Sequence, residues 1–215
     1  MKNLFFLIFV FFISTSIQAL EFKGTFYQGN LIIGKTEPTS NVYIDKKRVK
    51  VSDQGFFAFG LNKNRKTDVI VEVFKNGATE KVTKKVYKKV YKIQKINGLP
   101  KKQVTPPKEF YERIKADNKL IAKARSINTN LIFFSNVFEK PIEKSIITGV
   151  YGSQRILNGI PKSPHYGLDF AANEGTEIKA MLDGVVTLSE KNLYYTGGTI
   201  IFDHGHGVST LYMHL

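Results

Sequence analysis

Residues 164–170 read P-H-Y-G-L-D-F, which sets His165 and Asp169 four apart with Gly167 midway between them. Side chains alternate faces along a strand, so positions 165, 167 and 169 are expected on one face. An imidazole and a carboxylate would then flank the bare backbone of a glycine, leaving a recess. Nitrogen and oxygen donors suit zinc, whose catalytic sites combine three protein ligands with an open water position. Two donors are not a complete site, and the same spacing also fits a hydrogen-bonded surface pair. Two more histidines, His204 and His206, stand in D-H-G-H-G, and His214 lies in L-Y-M-H-L.

Composition narrows the chemistry. The chain has no cysteine, which excludes a disulfide framework, thiolate metal sites and a cysteine nucleophile. Any metal must take histidine and carboxylate ligands. Lysine and arginine total 32 against 18 acids, a formal charge of +14. Such a chain suits a polyanionic surface, a cell wall or lipid headgroups, and charge alone does not choose between these or exclude nucleic acid. The N-terminus supplies an address. Lys2 precedes an apolar, Phe-rich run over 4–13, followed by S-T-S-I-Q-A. This is the layout of a secretory signal peptide over residues 1–19, with cleavage expected after Ala19. The run is short of the roughly 20 apolar residues that a spanning helix needs, although an uncleaved anchor is the other reading. Export to the periplasm or cell envelope follows.

The elements that must position these residues are mainly β. Residues 20–96 are expected to form a small, immunoglobulin-like β-sandwich, an accessory domain. Its β-prone runs lie at 25–27, 31–33, 42–44, 56–59 and 69–74, separated by turn residues. Asn76-Gly77 is the strongest hairpin punctuation in the chain. Residues 81–92, K-V-T-K-K-V-Y-K-K-V-Y-K, are expected as a strand whose lysines shield an edge, a reading preferred to a basic binding patch. Residues 97–140 read as a linker with one amphipathic helix over 107–126. Thr105 is the expected cap, and Phe110, Ile114, Ile121 and Ala124 form a stripe that packs on a neighbouring domain. Residues 141–215 then form an antiparallel β-sheet domain.

The order of motifs in this last region is specific. H-Y-G-L-D, A-A-N-E-G-T-E-I-K-A, D-G-V-V and I-I-F-D-H-G-H-G-V-S-T-L-Y-M-H-L follow one another. Together they resemble the lysostaphin-type (LytM-like) peptidoglycan zinc metalloendopeptidases, over about residues 145–215. The resemblance implies that His165 and Asp169 are zinc ligands, from the family's H-x-G-x-D motif. It implies that His214, in Y-x-H-L, is a catalytic histidine. Zinc lowers the pKa of its bound water toward about 7 and polarises the scissile carbonyl, and a nearby imidazole can take the proton. Tyr212, two residues earlier, would share a strand face with His214 and serve packing. The implied substrate is a peptide of peptidoglycan cross-links, and no nucleic acid is expected as partner.

The family's third zinc ligand belongs to a later H-x-H motif. His204 and His206 are not that motif, because D-H-G-H-G matches a hairpin turn of the family in which neither position is a ligand. The expectation is therefore a peptidase domain represented by its N-terminal part, with low activity on its own. A non-catalytic, wall-binding or hydrolase-activating LytM-like module is the competing reading.

Overall fold

The computed structural model describes residues 20–215 and is mainly β; residues 1–19, expected as a signal peptide, lie outside the described residues. Seven strands open the chain: β1 (Glu21–Lys23), β2 (Leu31–Lys35), β3 (Asn41–Ile44), β4 (Lys47–Val49), β5 (Phe56–Gly60), β6 (Val69–Lys75) and β7 (Ala78–Lys84). They form two sheets, a three-stranded β1-β2-β5 and a four-stranded β4-β3-β6-β7. The inward residues of β6, Val69, Val71 and Val73, alternate with outward ones, as a strand with one buried face requires. They meet Ile32, Val42 and Phe57 in one apolar core. This is the expected sandwich.

Two turns explain its register. Asn76 and Gly77 join β6 to β7 with φ of 48° and 78°, the left-handed pair that a two-residue hairpin needs. Asp45 and Lys46 join β3 to β4 in the same way, with φ of 47° and 69°. The Asp45 carboxylate supports that conformation by accepting from the Ile70 amide and from Arg65. The Arg65 hydrogen bond holds the Asp45 carboxyl below its ordinary range, against a smaller opposing effect of burial.

The lysine-rich stretch departs from expectation. β7 ends at Lys84, and the chain from Lys85 to Lys92 leaves the sheet, with Tyr87 making only an isolated bridge to Tyr27. That bridge is also all the pairing that 25–27 makes, because β1 forms earlier, at Glu21–Lys23. β7 is nevertheless the edge strand of its sheet, so the lysines it carries do guard an edge. The chain then forms β8 (Ile93–Ile96), which pairs in parallel with a strand of the C-terminal region.

A short helix, α1 (Lys101–Val104), precedes a 3₁₀ turn at Lys108–Phe110 and α2 (Tyr111–Arg125). Thr105 does not cap the long helix. It closes α1 in an extended conformation, and Pro107 stands at the start of the next turn with no side-chain cap. The stripe does pack inward. Ala124 is buried, and Phe110, Ile114 and Ile121 are half-buried.

The C-terminal region contains β9 (Ile146–Gly149), β10 (Gln154–Leu157), β11 (Ile160–Pro161), β12 (Asp169–Ala171), β13 (Val185–Leu193), β14 (Gly197–Asp203) and β15 (Ser209–Met213). Its sheets are β11-β10-β8, β12-β9 and β13-β14-β15. α2 lies against β13 and β14. Arg113 donates to the Asn192 carbonyl at 2.6 Å, the Tyr194 amide donates to Asp117 at 2.7 Å, and Phe110 meets the Tyr194 ring at 5.1 Å between centroids.

Candidate metal centre

His165 does not lie on a strand. It sits in the connection between β11 and β12, and only Asp169 is in a strand. Strand alternation is therefore not what brings them together. The His165 amide donates to the Ser153 carbonyl, and the His165 carbonyl accepts from the Gly152 amide, which ties this connection to the turn before β10. A bend at Gly167 then returns the chain to Asp169. The two side chains converge all the same, with His165 Nε2 3.0 Å from Asp169 Oδ1. The expected openness at Gly167 is present. A methyl group there would stand 3.5 Å from His165 Nε2 and meet nothing else nearby, so any longer side chain would extend over the pair.

The pair fits two positions of a zinc site. With bonds of roughly 2.0–2.2 Å, two donors on one tetrahedral zinc stand about 3.3 Å apart, close to the observed separation. His165 is 8% exposed, and its second nitrogen, Nδ1, is buried with no hydrogen-bond partner among the described residues. Such an arrangement is poor for a plain surface pair. Among the described residues no group of three or more His, Cys, Asp or Glu converges, so these two are the donors available.

His214 comes from a different stretch of the fold. It follows the end of β15 with a left-handed φ of 62°, and its amide donates to the Thr196 carbonyl. Strand alternation stops at Met213, so Tyr212 and His214 do not share a strand face. Tyr212 instead accepts from the Met181 amide at 2.7 Å and packs edge-on against Phe202, the packing role expected for it. His214 is not hydrogen-bonded to His165 or Asp169 among the described residues.

The other two histidines are structural. His204 is fully buried. Its Nδ1 lies 2.7 Å from the Asp183 carbonyl, which can only accept, so Nδ1 carries the proton. Its Nε2 then accepts from the Thr210 hydroxyl at 2.8 Å, leaving no free lone pair for a metal. His206, with φ of 52°, packs on Phe134 at 4.9 Å between ring centroids. Burial, helped by the charge of Lys50, pushes its pKa down. Gly205 between them has φ of 95°, and a side chain there would collide with the Leu131 carbonyl. The D-H-G-H-G turn is thus fixed against residues 129–134.

Residues 163–215, which contain all four histidines and Asp169, match the family described as Peptidase family M23. This segment resembles that family. Over 51 residues it is 43% identical to the "DD-carboxypeptidase/endopeptidase Mpg" of Neisseria meningitidis and to the protein of the same name from Neisseria gonorrhoeae. That stretch covers 24% of this chain and 12% of the relative. Over 55 residues it is 42% identical to an "Uncharacterized metalloprotease" of Haemophilus influenzae, covering 24% of this chain and 11% of that protein. The chain thus spans about an eighth or less of the length of the curated relatives it matches. Relatives named as a carboxypeptidase/endopeptidase and as a metalloprotease agree with a metallopeptidase-type enzyme and with a metal as cofactor.

Two residues beside the M23 pair had no role assigned from sequence. Arg155 on β10 donates to Asp169 Oδ2 at 3.0 Å, and Gly149 on β9 faces Asp169 across the β9–β12 pairing. Both stand in T-G-V-Y-G-S-Q-R, before H-Y-G-L-D. Only the strand pairing shows that they reach the carboxylate.

Proposed function

We propose that this chain is an exported zinc metalloendopeptidase that hydrolyses peptide bonds in peptidoglycan cross-links, acting in the periplasm or cell envelope. The observation that carries this reading is the meeting of His165 Nε2 and Asp169 Oδ1 at 3.0 Å inside the segment matched to the M23 family. His165 and Asp169 would hold the metal, and His214 would be the catalytic base. When bound, zinc would supply a water of pKa near about 7 and polarise the scissile carbonyl.

The chain's own residues do the rest. Backbone bonds to Ser153 and Gly152 hold His165 in place, and the bare Gly167 leaves its Nε2 approachable. A ring nitrogen of His214 would take the proton of the attacking water and return it to the leaving amine. The layout of residues 1–19 supports export. The exposed lysines beyond β7 suit an anionic wall or membrane surface. With two protein donors converging among the described residues, zinc binding and hydrolysis by this chain should both be weak.

That last observation also supports the second reading, a non-catalytic LytM-like module that binds wall or activates another hydrolase. Zinc content and peptide release from purified peptidoglycan, measured on one preparation, separate the two. The enzyme reading expects both to be present and both to be lost in His165→Ala. Zinc retained at full stoichiometry in that variant contradicts the ligand assignment. Wall binding without any peptide release, at saturating zinc, favours the module.

A further inference from the structure

The Asp169 carboxylate uses its two oxygens differently. Oδ1 faces His165 Nε2, whereas Oδ2 accepts from Arg155 Nη2, each at 3.0 Å. Arg155 belongs to β10 and Asp169 to β12, so the guanidinium reaches from one sheet to another. Its own strand is held between β8 and β11, and its Nε is buried without a partner among the described residues. The tip of the side chain meets the carboxylate. The carboxylate also rests on Gly149, where any Cβ would come within 2.1 Å of Oδ2 and 2.9 Å of Cγ.

We propose that Arg155 is a positioning residue for the metal pair: it ties down Asp169 Oδ2, so that Oδ1 alone is presented beside His165 Nε2 as a one-oxygen donor. The proposal rests on the zinc reading above. Two opposed effects decide its sign. A guanidinium beside a carboxylate draws off part of the negative charge and weakens it as a donor. It also removes the freedom of a side chain that is 41% exposed and would otherwise turn toward water. The Arg155 side chain is itself 32% exposed, so solvent screens its field, while the geometry of the hydrogen bond persists. Orientation should win. Outer partners of metal ligands typically change affinity about 10–100-fold.

The test is a zinc competition titration against a chromophoric chelator, on the purified chain and on His165→Ala, Arg155→Ala and Arg155→Lys. Thermal unfolding of each metal-free protein is measured alongside. Arg155→Ala should weaken zinc binding about 10–100-fold, with the metal-free unfolding midpoint little changed. Arg155→Lys, which keeps a charge and a donor, should recover part of the loss. It also decides the matter if the alanine variant does not fold. Unchanged or tighter binding in a folded Arg155 variant, while binding still depends on His165, overturns the positioning role alone. A loss of affinity matched by a loss of folded protein in both Arg155 variants shows a structural role and also overturns it. Zinc binding that does not depend on His165 overturns the zinc reading, and this proposal with it.

Discussion

The sandwich and the segment matched to M23 are both antiparallel β structure, yet their interiors differ in kind. In the sandwich the fully buried side chains are apolar: Ile32, Val42, Phe57, Val69 and Val71. In the M23 segment Thr199, Asp203 and His204 are as deeply buried as Ile201. Each of the three is hydrogen-bonded, Asp203 to the Gly205 amide and to Thr129, His204 to Asp183 and Thr210, Thr199 to Thr196. An apolar core tolerates change in proportion to the volume lost, whereas a buried polar network fails when any one partner is removed. The first region is a frame held by apolar packing, whereas the second is also held by buried hydrogen bonds.

That contrast can be broken in several places. The largest effect is expected for Phe57→Ala, which removes a fully buried ring from the centre of the sandwich. It should cost about 3–5 kcal/mol in urea unfolding followed by circular dichroism. A loss below about 1 kcal/mol would mean that this core is not the frame. His204→Phe comes next. It fills the space but strips a partner from the Asp183 carbonyl and the Thr210 hydroxyl, at about 1–3 kcal/mol. Zinc content should not change, and a parallel loss of zinc would contradict the structural role of His204.

The third effect is one of pH. Burial first, and Lys50 second, lower the His206 pKa in the folded state. The unfolded chain therefore takes up this proton more readily, near pH 6.5. Stability should be unaffected above that value and should fall as the pH drops from about 6.5 through the folded pKa. His206→Gln should flatten this slope in unfolding measured between pH 7 and 5, and an unchanged slope would remove His206 as its source. The smallest effect belongs to Arg113→Ala on α2, which loses the Asn192 carbonyl and the Tyr194 ring. About 0.5–1.5 kcal/mol is expected, because that contact is exposed.

The same contrast explains what could be read from the sequence. Local signals carried the frame. The β-prone run over 69–74 and the Asn76-Gly77 turn gave β6 and its hairpin to β7. The β3–β4 hairpin was missed because Asp45-Lys46 is not a glycine turn, and the Arg65 and Ile70 bonds that support it come from residues 20 and 25 positions away. The extended strand expected over 81–92 failed at Lys84, where no partner strand continues and Tyr87 turns to Tyr27 instead. For the site, strand alternation was expected to bring His165 and Asp169 together, and the two do meet, but not by alternation. His165 and Asp169 meet through a bend anchored at Ser153 and Gly152. Arg155 could not be found, because its reach to Asp169 depends on sheet pairings that include the parallel β8–β10 contact, and no local pattern encodes those.

The most direct measurement of the central claim is the anomalous scattering of zinc from crystals of this protein soaked with the metal. The account predicts a single strong peak within bonding distance of both His165 Nε2 and Asp169 Oδ1, with Arg155 still on Oδ2. A peak at the D-H-G-H-G turn, with none between His165 and Asp169, would contradict it.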